Sequence, residues 1–218
     1  MSAIIGLWRS TIGKKIAMAL TGLLLVGFLI SHMISNVLVF VDGASLDHYA
    51  AWLRGFGPLL WIPRVILLGA VLVHITAAFQ LTAMARAGRG GSYREHDRPA
   101  STYASRTMRW GGVLILVFII FHILHYTVGI IHPDFRVGEV GRNLVRGMES
   151  KPVALFYLVS MIALGAHFLH GIWSVFQTLG INHPTWNRWR RGIAIGLTVL
   201  VAGGFASIPA AALLGWLH

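Results

Sequence analysis

Five long apolar runs alternate with short polar stretches along the chain. They cover Ile16–Val41, Val65–Ala85, Trp110–Ile131, Pro152–Leu179 and Gly192–Leu217. A helix needs about 20 predominantly apolar residues to cross a bilayer, and each run meets that length. Charge, glycine and proline mark the borders: Lys14 and Lys15, Pro63 and Arg64, Arg86 and Gly88, Arg109, His132 and Pro133, Lys151, and the cluster Arg188 to Arg191. Alternation of apolar and polar positions at period two is missing, so a membrane β-barrel is not predicted. The first run is too long for the core of a signal peptide, and no A-x-A cleavage site follows it. The pattern predicts an all-α integral membrane protein, a bundle of five transmembrane helices forming a single membrane domain over residues 1–218.

Composition sharpens this reading. Of 218 residues, 56% are hydrophobic and 11% charged, with a mean hydropathy of +0.71. A soluble domain carries about 25% charged residues, so this chain cannot clothe a water-facing surface. Disorder is excluded on the same ground. The formal net charge of +11 suggests nucleic acid only until the charges are placed, and no nucleic-acid partner is expected. Cysteine is absent, which removes disulfides, thiolate metal sites, iron–sulfur ligation and thioether-linked haem.

The basic residues orient the bundle. With the N-terminus in the cytoplasm, the inner segments hold Arg9, Lys14, Lys15, Arg86, Arg89, Arg94, Arg98, Arg106, Arg109, Arg188, Arg190 and Arg191. Only Glu95 and Asp97 oppose them. The outer segments hold Arg54, Arg64, Arg136, Arg142, Arg146 and Lys151, beside Asp42, Asp47, Asp134, Glu139 and Glu149. The split of 12 to 6 predicts a multi-pass protein with its N-terminus cytoplasmic and its C-terminus outside. Topology and lipid headgroups account for most of this charge. The 86–109 loop is the best candidate for docking a cytoplasmic partner.

Eleven histidines are many for a chain this short. Six fall inside the runs: His32, His74, His122, His125, His167 and His170. Ionisable groups at membrane depth are expensive and mark functional sites by default. A single one can also be a side chain bonded to a neighbouring helix. Four consecutive spans each carry one, and neutral imidazole from facing helices is a good iron ligand for haem. His32 lies ten residues before Asp42 and His122 ten before His132, both ~15 Å from the outer end of their spans at about 1.5 Å per residue. Depth therefore pairs His32 with His122 in an outer site, and His74 with His167 largely by elimination in an inner one. Ala70 and Ala78 flank His74, and Ala163 and Gly171 flank His167. Phe28 and Phe118 stand one turn before His32 and His122. His125 and His170 each follow a proposed ligand by three residues on the same face, as haem-pocket groups. His48, His96, His132, His183 and His218 read as solvated or interfacial.

All seven Asp and Glu lie outside the runs, which speaks against a carboxylate-bridged dinuclear site and a buried carboxylate relay. Two axial histidines close the iron, so the chemistry is one-electron transfer. Two such sites at different depths form a wire. The chain has no nucleotide-binding glycine pattern and no iron–sulfur ligands, so its cytoplasmic redox partner is another subunit. In the membrane the natural two-electron partner is a quinone, expected near the outer pair. Asn36, Tyr126, His48 and Trp61 are its candidate contacts. Helix bridging or interfacial anchoring is the competing role for each.

At these residues the chain resembles the cytochrome b membrane anchor of succinate:quinone oxidoreductase, in its single-anchor, five-helix, dihaem form. GLLLVGFLISHMISN around His32 carries the resemblance, with LVHITAAFQ around His74, Arg109 thirteen residues before His122, and HFLHGIWSVFQTLGI from His167. It implies two haem b groups with axial ligands His32, His74, His122 and His167, paired first with third and second with fourth. It implies an iron–sulfur subunit on the cytoplasmic face, carrying a flavoprotein with the succinate/fumarate site, so this chain has no succinate-binding site of its own. It implies a prokaryotic cytoplasmic membrane and a menaquinone-like acceptor. A carboxylate that some members place before the fourth-helix histidine is replaced here by Leu164, Gly165 and Ala166. The alternative is the dihaem subunit of another quinone-linked dehydrogenase or reductase. Those concentrate ligands on fewer helices.

Overall fold

The computed structural model describes residues 3–88, 103–181 and 183–217. Among them are eight α-helices and no strand. The helices are α1 (Ala3–Arg9), α2 (Thr11–Asn36), α3 (Gly43–Arg54), α4 (Trp61–Ala87), α5 (Tyr103–His122), α6 (Val140–Met148), α7 (Lys151–Thr178) and α8 (Pro184–Leu213). A 3₁₀ turn extends α2 through Phe40, another leads into α4 from Gly57, and a π-helical turn, Ile123–Val128, continues α5. Five segments are long and apolar enough to span a bilayer: Thr11–Phe40, Gly57–Ala87, Met108–Val128, Lys151–Thr178 and Pro184–Leu213. The chain is an all-helical, multi-pass membrane protein, as the apolar pattern predicts. The Arg94 and Arg98 part of the basic loop lies outside the described residues.

Local chemistry sets the borders and moves two of them. Ser10 caps α2 by accepting from the Gly13 amide at 2.9 Å. Gly13 is needed there, because a Cβ would stand 1.9 Å from the Leu7 carbonyl oxygen. Lys14 lies within α2, buried, and donates to the Trp8 carbonyl at 2.7 Å. At α8 the arginine cluster is a helical turn rather than a border, so the helix starts at Pro184, not Gly192. Arg190 is buried in that turn. Its guanidinium lies 4.3 Å from the centre of the Trp173 ring and donates to Asn187 Oδ1 at 2.7 Å. Stacking and hydrogen bonding offset the desolvation that would otherwise end an apolar helix here.

The centre of the bundle is α7. Of its apolar window 39% is buried, against 6% for the span containing α5. It packs along α8 and α5, while α2 packs along α4. Close backbone contact between α2 and α5, and between α4 and α7, is nearly absent among the described residues. Those two seams are where side chains must bridge.

The short helices α3 and α6 cover one end, here called the cap end. Asp47 Oδ1 accepts from the Gly141 amide at 2.9 Å, and a Cβ on Gly141 would meet the Gly43 carbonyl oxygen at 2.5 Å. Asp42 caps α3 at the Ser45 amide. All ion pairs among the described residues lie between 134 and 149: Arg142 with Asp134 and Glu139, Arg136 with the same two, and Arg146 with Glu149 at 2.9 Å. Beneath the cap sits a core of Val39, Leu46, Leu144, Met148, Ala154, Tyr157 and Ile208. A second core of Phe168, Ile172, Ala194 and Val201 lies toward the other end.

Two imidazole pairs as a candidate cofactor site

The helices bring four of the intramembrane histidines into two facing pairs. His32 on α2 and His122 on α5 have ring centres 5.8 Å apart at an interplanar angle of 81°. His74 on α4 and His167 on α7 have ring centres 6.3 Å apart at 57°. Each pair reaches across one of the two seams where the helix backbones stand apart.

Aromatic rings wall the cap-end pair. Phe28 stacks on His32 at 5.2 Å, Phe205 of α8 lies 5.6 Å from it, and Phe118 lies 5.6 Å from His122. Small residues surround the other pair. Ala70 is buried one turn from His74, and a Cβ on Gly22 would meet His74 Cε1 at 3.3 Å. On α5, Gly112 faces His167 Cε1 at 3.8 Å by the same measure, and Gly171 has open space beside it. Of the flanks read from the sequence, Phe28 and Phe118 lie against the cap-end pair, whereas Phe205, Gly22 and Gly112 come from the packing of the helices.

Hydrogen bonding at the four rings is confined to Nδ1. His74 Nδ1 lies 3.2 Å from the Met18 carbonyl and 3.3 Å from Thr21 Oγ1. His122 Nδ1 lies 3.4 Å from the Tyr157 hydroxyl. Asn36 Nδ2 donates to the His32 carbonyl at 2.7 Å and lies 3.3 Å from His32 Nδ1. His167 Nδ1 is buried without a hydrogen-bond partner among the described residues. No Nε2 of the four carries a hydrogen bond among the described residues.

This donor set fits an iron porphyrin held by two imidazoles. Two rings on one ion, each bonded at about 2.0 Å, hold their centres roughly 6 Å apart. A metal-binding histidine commonly gives its other N–H to a carbonyl, as His74 can to Met18. Among the described residues no group of three or more His, Cys, Asp or Glu could hold a bare metal ion.

The remaining candidates separate. His125 is buried, 1% exposed, with Nδ1 3.1 Å from the Tyr157 hydroxyl. His170 turns along its own helix, with Nε2 3.1 Å from Ser174 Oγ. Asn36 sits beside His32. The Tyr126 ring lies 5.8 Å from His122, and its hydroxyl donates to the Leu144 carbonyl at 3.2 Å. His48 on α3 is exposed, and Trp61, 63% exposed, is stacked by Arg64. No hydrogen bond or ring contact among the described residues joins His48 or Trp61 to either pair.

Two residues escape sequence reasoning. Tyr157 looks like one more aromatic in an apolar span, yet it touches both His122 and His125. His132, read as solvated or interfacial, is buried. Its Nε2 donates to the Asn143 carbonyl at 2.8 Å and its Nδ1 accepts from the Asp134 amide at 3.0 Å. The one available signal was its place in the closely spaced series His122, His125, His132.

A model of the succinate dehydrogenase/fumarate reductase transmembrane subunit family matches residues 89–206, more than half of the chain. The match takes in His122, Tyr157 and His167, while α2 and α4, with His32 and His74, precede it. No curated protein and no solved structure matches the chain.

Proposed function

The chain belongs to the succinate dehydrogenase/fumarate reductase transmembrane subunit family, and from that premise we propose that it is the single-subunit, five-helix, dihaem cytochrome b anchor of such a complex. The observation that carries this reading is the two pairs of facing histidines, His32 with His122 and His74 with His167, each joining two long helices whose backbones make little close contact among the described residues. His32 with His122 would hold one haem b, and His74 with His167 the other. When bound, the two haems supply one-electron transfer between a cytoplasmic iron–sulfur subunit, joined to a flavoprotein, and a menaquinone-like quinone in the bilayer.

The chain's own residues do the rest. Nδ1 contacts fix the rings of His74 and His122, leaving Nε2 as the ligating nitrogen. Phe28, Phe118 and Phe205 keep water from the cap-end pair. The enzymatic role is that of one subunit in the complex, with the succinate site on the flavoprotein. Residues 1–218 act as one membrane domain. A prokaryotic cytoplasmic membrane is its proposed location, N-terminus inside, C-terminus and cap end outside. The charge distribution supports this orientation: on the cap side Arg136, Arg142 and Arg146 are each paired with acid, while 12 of the 18 Lys and Arg fall in the segments at the other end. That excess suits a soluble partner on the cytoplasmic face.

The test is a pyridine-haemochrome assay and subunit identification on the complex purified through this chain. Two haem b per chain together with iron–sulfur and flavin subunits are expected. A chain without haem, or one that co-purifies with a different dehydrogenase, would overturn the assignment.

A further inference from the structure

One buried hydroxyl stands between two imidazoles at the cap end. Tyr157 is 5% exposed, and its oxygen lies 3.4 Å from His122 Nδ1 and 3.1 Å from His125 Nδ1. A phenol has one proton to give and can accept as well, so it can serve two imidazoles only if one donates to it and the other accepts from it. A ligand on Nε2 of His122 puts that ring's proton on Nδ1. The Tyr157 oxygen must then accept from His122, and its own proton has one destination, His125 Nδ1.

The surroundings hold this order in place. Tyr157 is wedged by Phe118 at 5.0 Å and Phe121 at 6.0 Å, both edge to face. His125 is enclosed by Phe121, Tyr126 and His132, with ring centres at 5.3, 4.2 and 5.0 Å. His132 is already satisfied on both nitrogens by backbone, so it does not compete for the Tyr157 proton. At the other pair no hydroxyl among the described residues joins a ligand imidazole to a second imidazole. His74 Nδ1 meets the Met18 carbonyl and the Thr21 hydroxyl, which itself donates to the Ala17 carbonyl, and His167 Nδ1 has no partner among the described residues.

We propose that Tyr157 is a positioning residue for the cap-end haem ligand: its hydroxyl accepts from His122 Nδ1 and donates to His125 Nδ1. The inference rests on the dihaem reading above. An acceptor on Nδ1–H makes an imidazole a stronger donor to its metal, and a chain of hydrogen bonds strengthens each link. Stronger donation favours oxidised iron, so the relay lowers the potential of one haem and leaves the other untouched.

The experiment is a redox titration of the purified complex carrying Tyr157→Phe, followed by optical and low-temperature electron paramagnetic resonance spectra. Phenylalanine keeps the ring packing and removes only the hydroxyl. Both haems should be retained, one midpoint potential should rise with a shift of its own low-spin signal, and the other should not move. If Tyr157→Phe does not assemble, His125→Leu carries the test. It strips the hydroxyl of its acceptor and should shift the same signal in the same direction by less. Unchanged potentials, or equal shifts of both haems, would overturn the relay. A wild-type complex lacking haem would instead overturn the proposed function and the inference with it.

Discussion

Gly147 of α6 lies directly on Tyr126 and His125: a Cβ at that position would stand 2.5 Å from the Tyr126 hydroxyl oxygen and 2.9 Å from His125 Cε1. The same helix holds the Tyr126 hydroxyl through Leu144. A nine-residue amphipathic helix is thus pressed onto the histidine cluster with no room for a methyl group. Gly147→Ala must lift α6 or push Tyr126 and His125 toward His122. Overpacking of this kind costs about 1–3 kcal/mol. The expected outcome is a lower unfolding midpoint of the complex and a perturbed spectrum of one haem only. Identical melting and spectra would mean that the cap does not bear on the site.

The two bridges predict a specific pattern of haem loss. His32→Ala and His122→Ala should remove the same haem, and His74→Ala and His167→Ala the other. The double variant His32→Ala/His122→Ala should be no worse than either single change, since a bridge broken at one end is already broken. Haem stoichiometry and the surviving spectrum read this out directly. Loss of the same haem from His32→Ala and His167→Ala would refute the pairing.

How much of this was legible in the chain differs by element. The spans are, because a bilayer demands long apolar runs that nothing else in the sequence imitates. The spacing of His32 and His122 from their span ends also anticipated that these rings meet. The cap did not show, because α3 and α6 are short and polar, and their order comes from Asp47 meeting Gly141 and from packing on α7 and α8. The start of α8 was hidden because a buried arginine reads as a border until Trp173 is seen beneath it. Tyr157 was hidden for a different reason: its partners lie 32 and 35 residues away, and only the α5–α7 packing brings them to it.

Acid should loosen the cap before the spans. The Ser45 amide and hydroxyl hold the Asp42 carboxyl below its usual range, and the Arg142 guanidinium does the same for Asp134. A carboxylate depressed in the folded state stabilises it fully above the unfolded pKa of about 3.9, and that contribution fades as pH falls through the lower folded value. Cap stability should therefore be flat from neutral pH to about 5 and decline below about 4. Hydrogen exchange of α6 amides, corrected for intrinsic rate, measures it. Asp134→Asn should remove part of the acid dependence, and an unchanged profile in that variant would assign the effect elsewhere.

Orientation makes a prediction of its own. Reporter fusions at Gly90 and Asn187 should be active as cytoplasmic reporters, and fusions at Gly43, Gly138 and the C-terminus as external ones. Reversing the cap pairs should weaken the bias: Asp134→Lys with Glu139→Lys adds unmatched positive charge to the outer side. Fusions reading the cap end as cytoplasmic would place the Tyr157 relay beside the iron–sulfur partner instead of the far side.

The quinone is the least constrained part of the proposal, and the geometry divides its four candidate contacts. A quinone accepting electrons gains negative charge on its carbonyl oxygens and then protons, so its site needs donors able to turn toward it. Asn36 already gives its amide hydrogen to the His32 carbonyl, and Tyr126 gives its hydroxyl to the Leu144 carbonyl. Using either would break a bond that shapes the cap-end pair. His48 on α3 and Trp61 at the start of α4 are exposed, and neither makes a hydrogen bond among the described residues. With an outer quinone, His48→Leu and Trp61→Phe should lower turnover with quinone or weaken quinone-site inhibitors while both haem spectra stay unchanged. Asn36→Leu and Tyr126→Phe should act mainly through the haem environment, with spectral changes accompanying any kinetic loss. Normal quinone kinetics in all four variants would move the search to the opposite end of the bundle, where His74, Thr21 and the open side of Gly171 stand within the membrane.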